Sequence, residues 1–283
     1  MASPLPPPSW PQRQRSDGRV ALAAGRMPGG ATRLTDLAES GPLRLRLPRV
    51  EGAALEGVFL NSAGGIACGD RFRIAADLGA GADLVLTTTA AEKIYRSDGP
   101  VTEIAADLRV AAGARLAWLP QETILYDGAR LHRRLDADLA ADATLTLFEA
   151  LVFGRSARGE TVREGLLRDA WRLSRAGRLV YADTLHLDGP VAALLARPAV
   201  ANGARALATL IHIAPDAEAR TEAMRDLIDA AGCAALGVEA GASAWNGLLA
   251  VRLLAREIDP LRRAATRILE GFRRVPLPRV WRT

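Results

Sequence analysis

The tripeptide Ala-Asp-Leu occurs three times, at Ala76–Leu78, Ala106–Leu108 and Ala137–Leu139, at intervals of 30 and 31 residues. Each copy leads through a turn of small residues into a run of alternating hydrophobicity: Leu84–Thr88, Arg115–Leu119 and Thr144–Phe148. A fixed period of this length marks stacked repeat units, because one such unit cannot bury its own apolar face. Stacking carries equivalent loops to the same edge. Twenty residues past each Asp lie Ser97, Asp127 and Arg158, all in polar loops. Function is therefore expected on one face, built from loops of successive layers.

The remaining pattern fits a mainly β chain. Arg19–Ala23, Leu43–Leu47, Gly57–Leu60, Phe72–Ala76 and Thr102–Val110 are short alternating runs divided by Gly, Pro, Asp and Ser. Trp171–Leu187 reads as a hairpin turning at Arg175–Gly177. Helical spacing arrives late, over Asp216–Ala231 with Asp216 as N-cap and over Asp259–Phe272 with Pro260 at the first helical position. Strands are expected between them at Ala234–Glu239 and Leu248–Ala255. The expected architecture is a stacked, solenoid-like β body to about residue 190, followed by a smaller α/β part with about two helices. Both belong to a single domain over 18–283, preceded by a Pro-rich disordered tail over 1–17.

Composition narrows the function classes. No apolar run approaches the roughly 20 residues that span a bilayer, and the Pro-rich start lacks a leader's apolar segment, so a cytoplasmic protein is expected. Cys68 and Cys233 are far apart and three histidines are scattered, which argues against a disulfide and against a preformed tight metal site. The net charge of +5 raises nucleic acid as a partner, but basic and acidic residues alternate and no aromatic-plus-basic motif appears. Lys93 is the single lysine among 37 basic residues.

Four loops carry the chemistry. In Asn61–Asp70 (NSAGGIACGD), Gly64, Gly65 and Gly69 permit unusual backbone and Asp70 precedes a strand, whereas Cys68 reads as packed more readily than as a soft metal ligand. The Gly spacing matches neither a P-loop nor a dinucleotide fingerprint. Thr87–Gly99 brings Lys93, Tyr95, Arg96 and Ser97 together, open to general-acid chemistry or to a plain polar network. Leu119–Arg130 holds Glu122 and Asp127, five apart and so not a paired-carboxylate site by spacing alone. Phe153–Glu160 adds Arg155 and Glu160. A hydrolase or lyase on acidic polymers would need matched carboxylates in adjacent layers, and the positions matching Asp127 are Ser97 and Arg158.

Taken in order, NSAGGIACGD, TTTAAEKIYRS, LPQETILYDGA and FGRSARGE, with GATRLTDLAESGPLRLRLPR upstream, resemble the urease accessory protein family UreD (UreH). The resemblance covers roughly Gly18 to Leu187, and Cys68 departs from it where Gly is the expected residue. It implies a β-rich scaffold and not an enzyme. Such a scaffold binds urease apoprotein and recruits UreF, which holds the GTPase UreG, so that nickel reaches the urease metallocentre. It further implies an internal polar path for the ion, with Asp70, Ser97, Glu122, Asp127 and Glu160 as candidate lining residues. No resident cofactor, membrane or nucleic acid is implied, and surface meant for partners would make the isolated chain poorly soluble.

Overall fold

The computed structural model describes residues 15–49 and 54–282. Residues 1–14 of the expected tail lie outside the described residues, and Asp17 already opens the first strand. Four strands, β1 (Asp17–Arg26), β2 (Thr32–Ser40), β3 (Leu43–Arg46) and β4 (Leu55–Asn61), lead into three coils. The first coil runs β5 (Arg71–Leu78), β6 (Asp83–Thr88), β7 (Glu92–Ile94). The second runs β8 (Thr102–Val110), β9 (Arg115–Leu119), β10 (Thr123–Leu125), and the third β11 (Arg130–Leu139), β12 (Thr144–Phe153). There follow the hairpin β13 (Gly165–Arg175) and β14 (Arg178–Gly189), a short α1 (Val191–Leu195), β15 (Ala206–Ile213), α2 (Thr221–Ala230), β16 (Val238–Trp245), β17 (Leu248–Ala255) and α3 (Ile258–Arg273).

The coils stack as the repeat requires. β1, β5, β8, β11 and β13 run parallel in a seven-stranded sheet ordered β14-β13-β11-β8-β5-β1-β2. The continuations of β5, β8 and β11, namely β6, β9 and β12, run parallel with β4 in a ten-stranded sheet ordered β16-β17-β15-β12-β9-β6-β4-β3, with β10 and β7 branching from β12. The turns between the two sheets are built of Gly and Ala. Ala82, Ala114 and Ala143 are fully buried there, and the Gly81 N–H donates to the Ala112 carbonyl of the next coil at 2.9 Å.

The register corrects the tripeptide repeat in one respect. Leu78, Val110 and Leu139 share a rung, 32 and 29 residues apart, so the Ala-Asp-Leu copies are slipped by two residues between neighbours. A slip of two preserves which side chains face inward. The tripeptide thus marks one face of the sheet and not one level of the stack.

The two sheets enclose the main core, and the far side of the larger sheet is covered by α2 and α3 over a second core. β12 is buried on both faces along nearly its whole length, which is why it reads as a continuous apolar run and extends to Phe153. α3 lays Leu261, Ala264, Ala265, Ile268, Leu269 and Phe272 against the sheet, the spacing of one helical stripe. β15 pairs with β12, so the chain beyond residue 190 extends the larger sheet.

Other boundaries move for local reasons. The first turn at Glu218–Arg220 is tightened to 3-10, so α2 begins at Thr221 and Asp216 caps nothing. Pro260 is the third residue of α3 instead of the first. Ala234–Leu236 forms a 3-10 turn that Gly237 ends in the left-handed region, at φ 68°, so β16 starts at Val238. The hairpin turn keeps its place: Ala176 and Gly177, at φ 50° and 75°, supply the two left-handed residues that suit the strand twist.

Candidate functional site

The polar loops of successive coils meet at one edge. Ile66 bridges Ile94, the strands β7 and β10 pair in parallel, and Arg96 bridges Ala129. The Ser97 N–H donates to the Gly128 carbonyl at 2.9 Å, and the Gly128 N–H to the Glu164 carbonyl at 2.8 Å. The third-layer neighbour is therefore Glu164, and Arg158 sits instead in a 3-10 turn within a longer loop.

Each residue expected to line a path is occupied at this edge. Asp70 is buried, with its two carboxylate oxygens accepting the N–H groups of Ser16 at 2.7 Å and Ala67 at 2.8 Å. The Ser97 hydroxyl donates to the Pro100 carbonyl at 2.6 Å and accepts the Gly99 N–H. Glu122 pairs with Arg262 of α3 at 3.0 Å. Asp127 accepts the Arg163 and Glu164 N–H groups and pairs with the Arg163 guanidinium at 2.9 Å. Burial raises its carboxyl, yet these hydrogen bonds hold it below the usual carboxylate range. Glu160 forms a two-pronged pair with Arg155, both contacts at 2.8 Å, and that pairing holds its carboxyl low against the opposing effect of burial.

A second set of contacts fixes the glycine loop. Arg155 lies 4.2 Å over the Tyr126 ring, Tyr126 meets Tyr95 edge-on, and the Tyr95 hydroxyl donates to the Gly64 carbonyl at 3.0 Å. A Cβ on Gly65 would fall 2.4 Å from the Tyr95 ring, so only Gly permits this approach. Gly69 has φ 79°, and Arg96 packs over Gly128. The Cys68 thiol donates to the Asp98 carboxylate at 3.0 Å. Among the described residues no group of three or more His, Cys, Asp or Glu could hold a metal ion.

Beneath the loops lies a cavity of about 190 Å³ between the sheets. Asn61, Glu92 and Lys93 stand at its outer end, Trp118, Gln121 and Thr123 along it, and Arg133 and Glu149 at its inner end. Burial pushes the Glu92 carboxyl up, against hydrogen bonds from Asn61 and from the Lys93 N–H. At the inner end the Arg133 guanidinium is clamped between Glu149 and Asp169, at 2.5 Å from each. The indole N–H of Trp118 donates to Glu149 at 2.8 Å and that of Trp171 to Asp169 at 3.1 Å. Burial opposes the Arg133 charge, but the two carboxylates more than restore it. A smaller cavity of about 20 Å³ shares Arg133 and Glu149 in its lining and is bordered also by Asp169 and by the ion pair of Asp183 with Arg252, both partly exposed.

None of Asp70, Ser97, Glu122, Asp127 and Glu160 lines either cavity. Lys93, singled out in the sequence, lines the larger one, whereas Arg133, Glu149 and Asp169 were missed, although the chain signals them. Arg133 falls between Leu131 and Leu135, and Asp169 between Leu167 and Trp171, on the inward parity of their strands. Glu149 interrupts the apolar run of β12. Charges on an inward parity must find partners inside.

Fold and site together define a class: a layered β body with a charged, partly hollow interior beneath one loop-bearing edge. The chain belongs to the urease accessory protein family UreD, whose model, described as UreD urease accessory protein, matches residues 16–282. It is 80% identical over 278 residues to the urease accessory protein UreD of Methylobacterium sp. (strain 4-46), covering 98% of this chain and 99% of that one. It is 61% identical over 271 residues to that of Xanthobacter autotrophicus, covering 96% and 91%. With UreD 1 of Methylobacterium radiotolerans it shares 57% over 274 residues, covering 96% and 94%.

Proposed function

We propose that this chain is a non-catalytic cytoplasmic scaffold in urease maturation. It binds urease apoprotein, recruits UreF and through it the GTPase UreG, and lets nickel travel as cargo through its interior to the urease metallocentre. The observation that carries the reading is a charged cavity system between the sheets of a UreD family member, reached at Glu92 and passing Glu149 and Asp169. A metal that must be handed on needs weak, oxygen-rich contacts, since a nitrogen–sulfur cage would retain it. The five loop residues first expected to line the route instead fasten the loops around its outer end. The Asp70 carboxylate ties the turn after Ile66 to Ser16 ahead of β1, and the Glu122 carbonyl accepts the Glu92 N–H at 2.9 Å.

The test is urease activity and nickel content in cells carrying the urease operon, with this chain deleted and then restored. Inactive, nickel-poor urease without the chain, recovered with it, is expected. Active, nickel-loaded urease in its absence would overturn the proposal. Glu92→Gln is expected to lower activation while leaving the assembly with UreF intact, read by co-purification. Full activation by that variant would remove Glu92 from the route.

A further inference from the structure

The charge of this chain is concentrated at one end. Residues 252–283 hold nine arginines and three carboxylates, a net of +6, while the whole chain carries +5, so the first 251 residues are close to neutral. The structure gathers part of this excess on α3. A groove of about 600 Å³ on the outer face of that helix is lined by Asp259, Arg262, Arg263, Thr266, Arg267 and Trp281. Arg262 is committed to Glu122 and lies 5.6 Å over the Trp281 ring, forming one wall. Arg263 and Arg267 are exposed, and among the described residues neither takes part in an ion pair. Arg267 spends one N–H on the Ala231 carbonyl at 2.8 Å. Two guanidiniums thus border an indole-floored groove, and among its described lining residues only Asp259 offsets them.

We infer that this groove is a docking site for an acidic segment of a partner protein, whose carboxylates pair with Arg263 and Arg267. Arginine presents a flat fork that matches a carboxylate in two-pronged fashion, and it is enriched where interfaces draw their energy. The neighbouring helix selects against a nucleic acid. α2 packs antiparallel to α3, with Leu227 seated on Gly271 and Arg267 donating to Ala231, and it exposes Glu222, which is paired with Arg225, together with Asp226 and Asp229. These lie on one stripe, four and three residues apart. A phosphate backbone following the arginines would meet that stripe with like charge. A protein with mixed charge can instead match both helices, which fixes its orientation as well as its site. The site stands apart from the interior cavity and does not depend on the route taken by the cargo.

The test uses the full chain and a fluorescein-labelled oligo-glutamate peptide, with a single-stranded RNA of matched charge as second probe. The wild-type chain is expected to bind the peptide saturably. Binding should weaken at least about tenfold when salt rises from about 0.05 to 0.3 M, because exposed charges are screened over that range. Arg263→Glu with Arg267→Glu is expected to abolish it, and Arg263→Lys with Arg267→Lys to retain a weakened form, since lysine keeps charge and loses the fork. Both pairs replace exposed residues, and an unchanged thermal midpoint verifies the fold. Peptide binding unaffected by the glutamate pair would overturn the inference, as would RNA binding more tightly than the peptide. Co-purification of urease apoprotein with the same variants reads the biological partner separately. If the wild-type chain captures no apoprotein, the scaffold reading fails, while the peptide still decides whether the groove accepts an acidic segment.

Discussion

Arg133→Met is the most informative perturbation of the interior, because it removes a cation and keeps much of its volume. Arg133 is buried, and it neutralises two carboxylates that are equally buried. Removing one partner of such a cluster strands the others, which costs about 3–5 kcal/mol. Two carboxylates in one site cannot both stay ionised cheaply, so one is expected to take a proton in the variant. That makes the deficit pH-dependent, with a definite sign. A carboxyl whose folded pKa is raised above its unfolded value stabilises the fold at low pH and loses that contribution as pH rises through the folded pKa. The deficit should therefore grow from pH 5 to pH 7, by up to about 1.4 kcal/mol per unit. The assay is urea unfolding followed by tryptophan fluorescence, since Trp118 and Trp171 donate to the two carboxylates concerned. Adding Glu149→Gln and Asp169→Asn to Arg133→Met should recover much of the loss, as uncharged groups of similar shape relieve the stranded charge. A deficit below about 0.5 kcal/mol, or one that does not change with pH, would refute the account of the cluster as a mutually dependent unit.

Three further outcomes follow from local geometry. His212 is buried against Thr146, Arg220 and Phe272, and burial followed by the Arg220 charge depresses its pKa from 6.5 to about 4. Its contribution, about 3 kcal/mol, is present above pH 6.5 and lost as pH falls toward 4. His212→Asn should flatten the acid limb of a stability–pH curve measured in urea, and an unchanged limb would exclude His212 as its source. Gly65→Ala places a methyl 2.4 Å from the Tyr95 ring at φ 151°, and it should cost about 1–3 kcal/mol and lower the thermal midpoint. An unchanged midpoint would show that the glycine loop yields freely. Ile268→Ala, at the centre of the buried stripe of α3, should cost about 2–5 kcal/mol, and a loss under about 1 kcal/mol in denaturant would show that the helix is not packed as described.

Much of the fold was legible because period and parity are local properties. β8, β9 and β17 fall on the residues expected of them, and the hairpin turns where its small residues sit. What the sequence could not state was register. The Ala-Asp-Leu copies mark inward and outward faces correctly, yet the spatial repeat alternates between 32 and 29 residues because loop lengths differ between coils. Helix starts failed for a related reason: Asp216 has the chemistry of a cap, but the chain tightens into a 3-10 turn before α2 can use it.

The site was legible in its loops and hidden in its interior, and one physical difference accounts for both. The loop motifs announce themselves because glycines and charges cluster along the chain, and the structure does gather Gly65, Tyr95, Asp127 and Glu160 at one edge. The charges of these loops are nevertheless met within the edge or by elements packed against it. Asp127 with Arg163 and Glu160 with Arg155 are paired within the edge, which leaves them as fasteners for the loops. Arg133, Glu149 and Asp169 come from three strands in two sheets, and each is the one buried charge of its strand. A charge alone on an inward parity has to be met from another layer, and only the register of the stack shows which layer supplies it. In a stacked β protein the charges that face between the sheets are therefore those that break the strand pattern singly. The motif-rich loops are fastened to one another at the edge above the cavity.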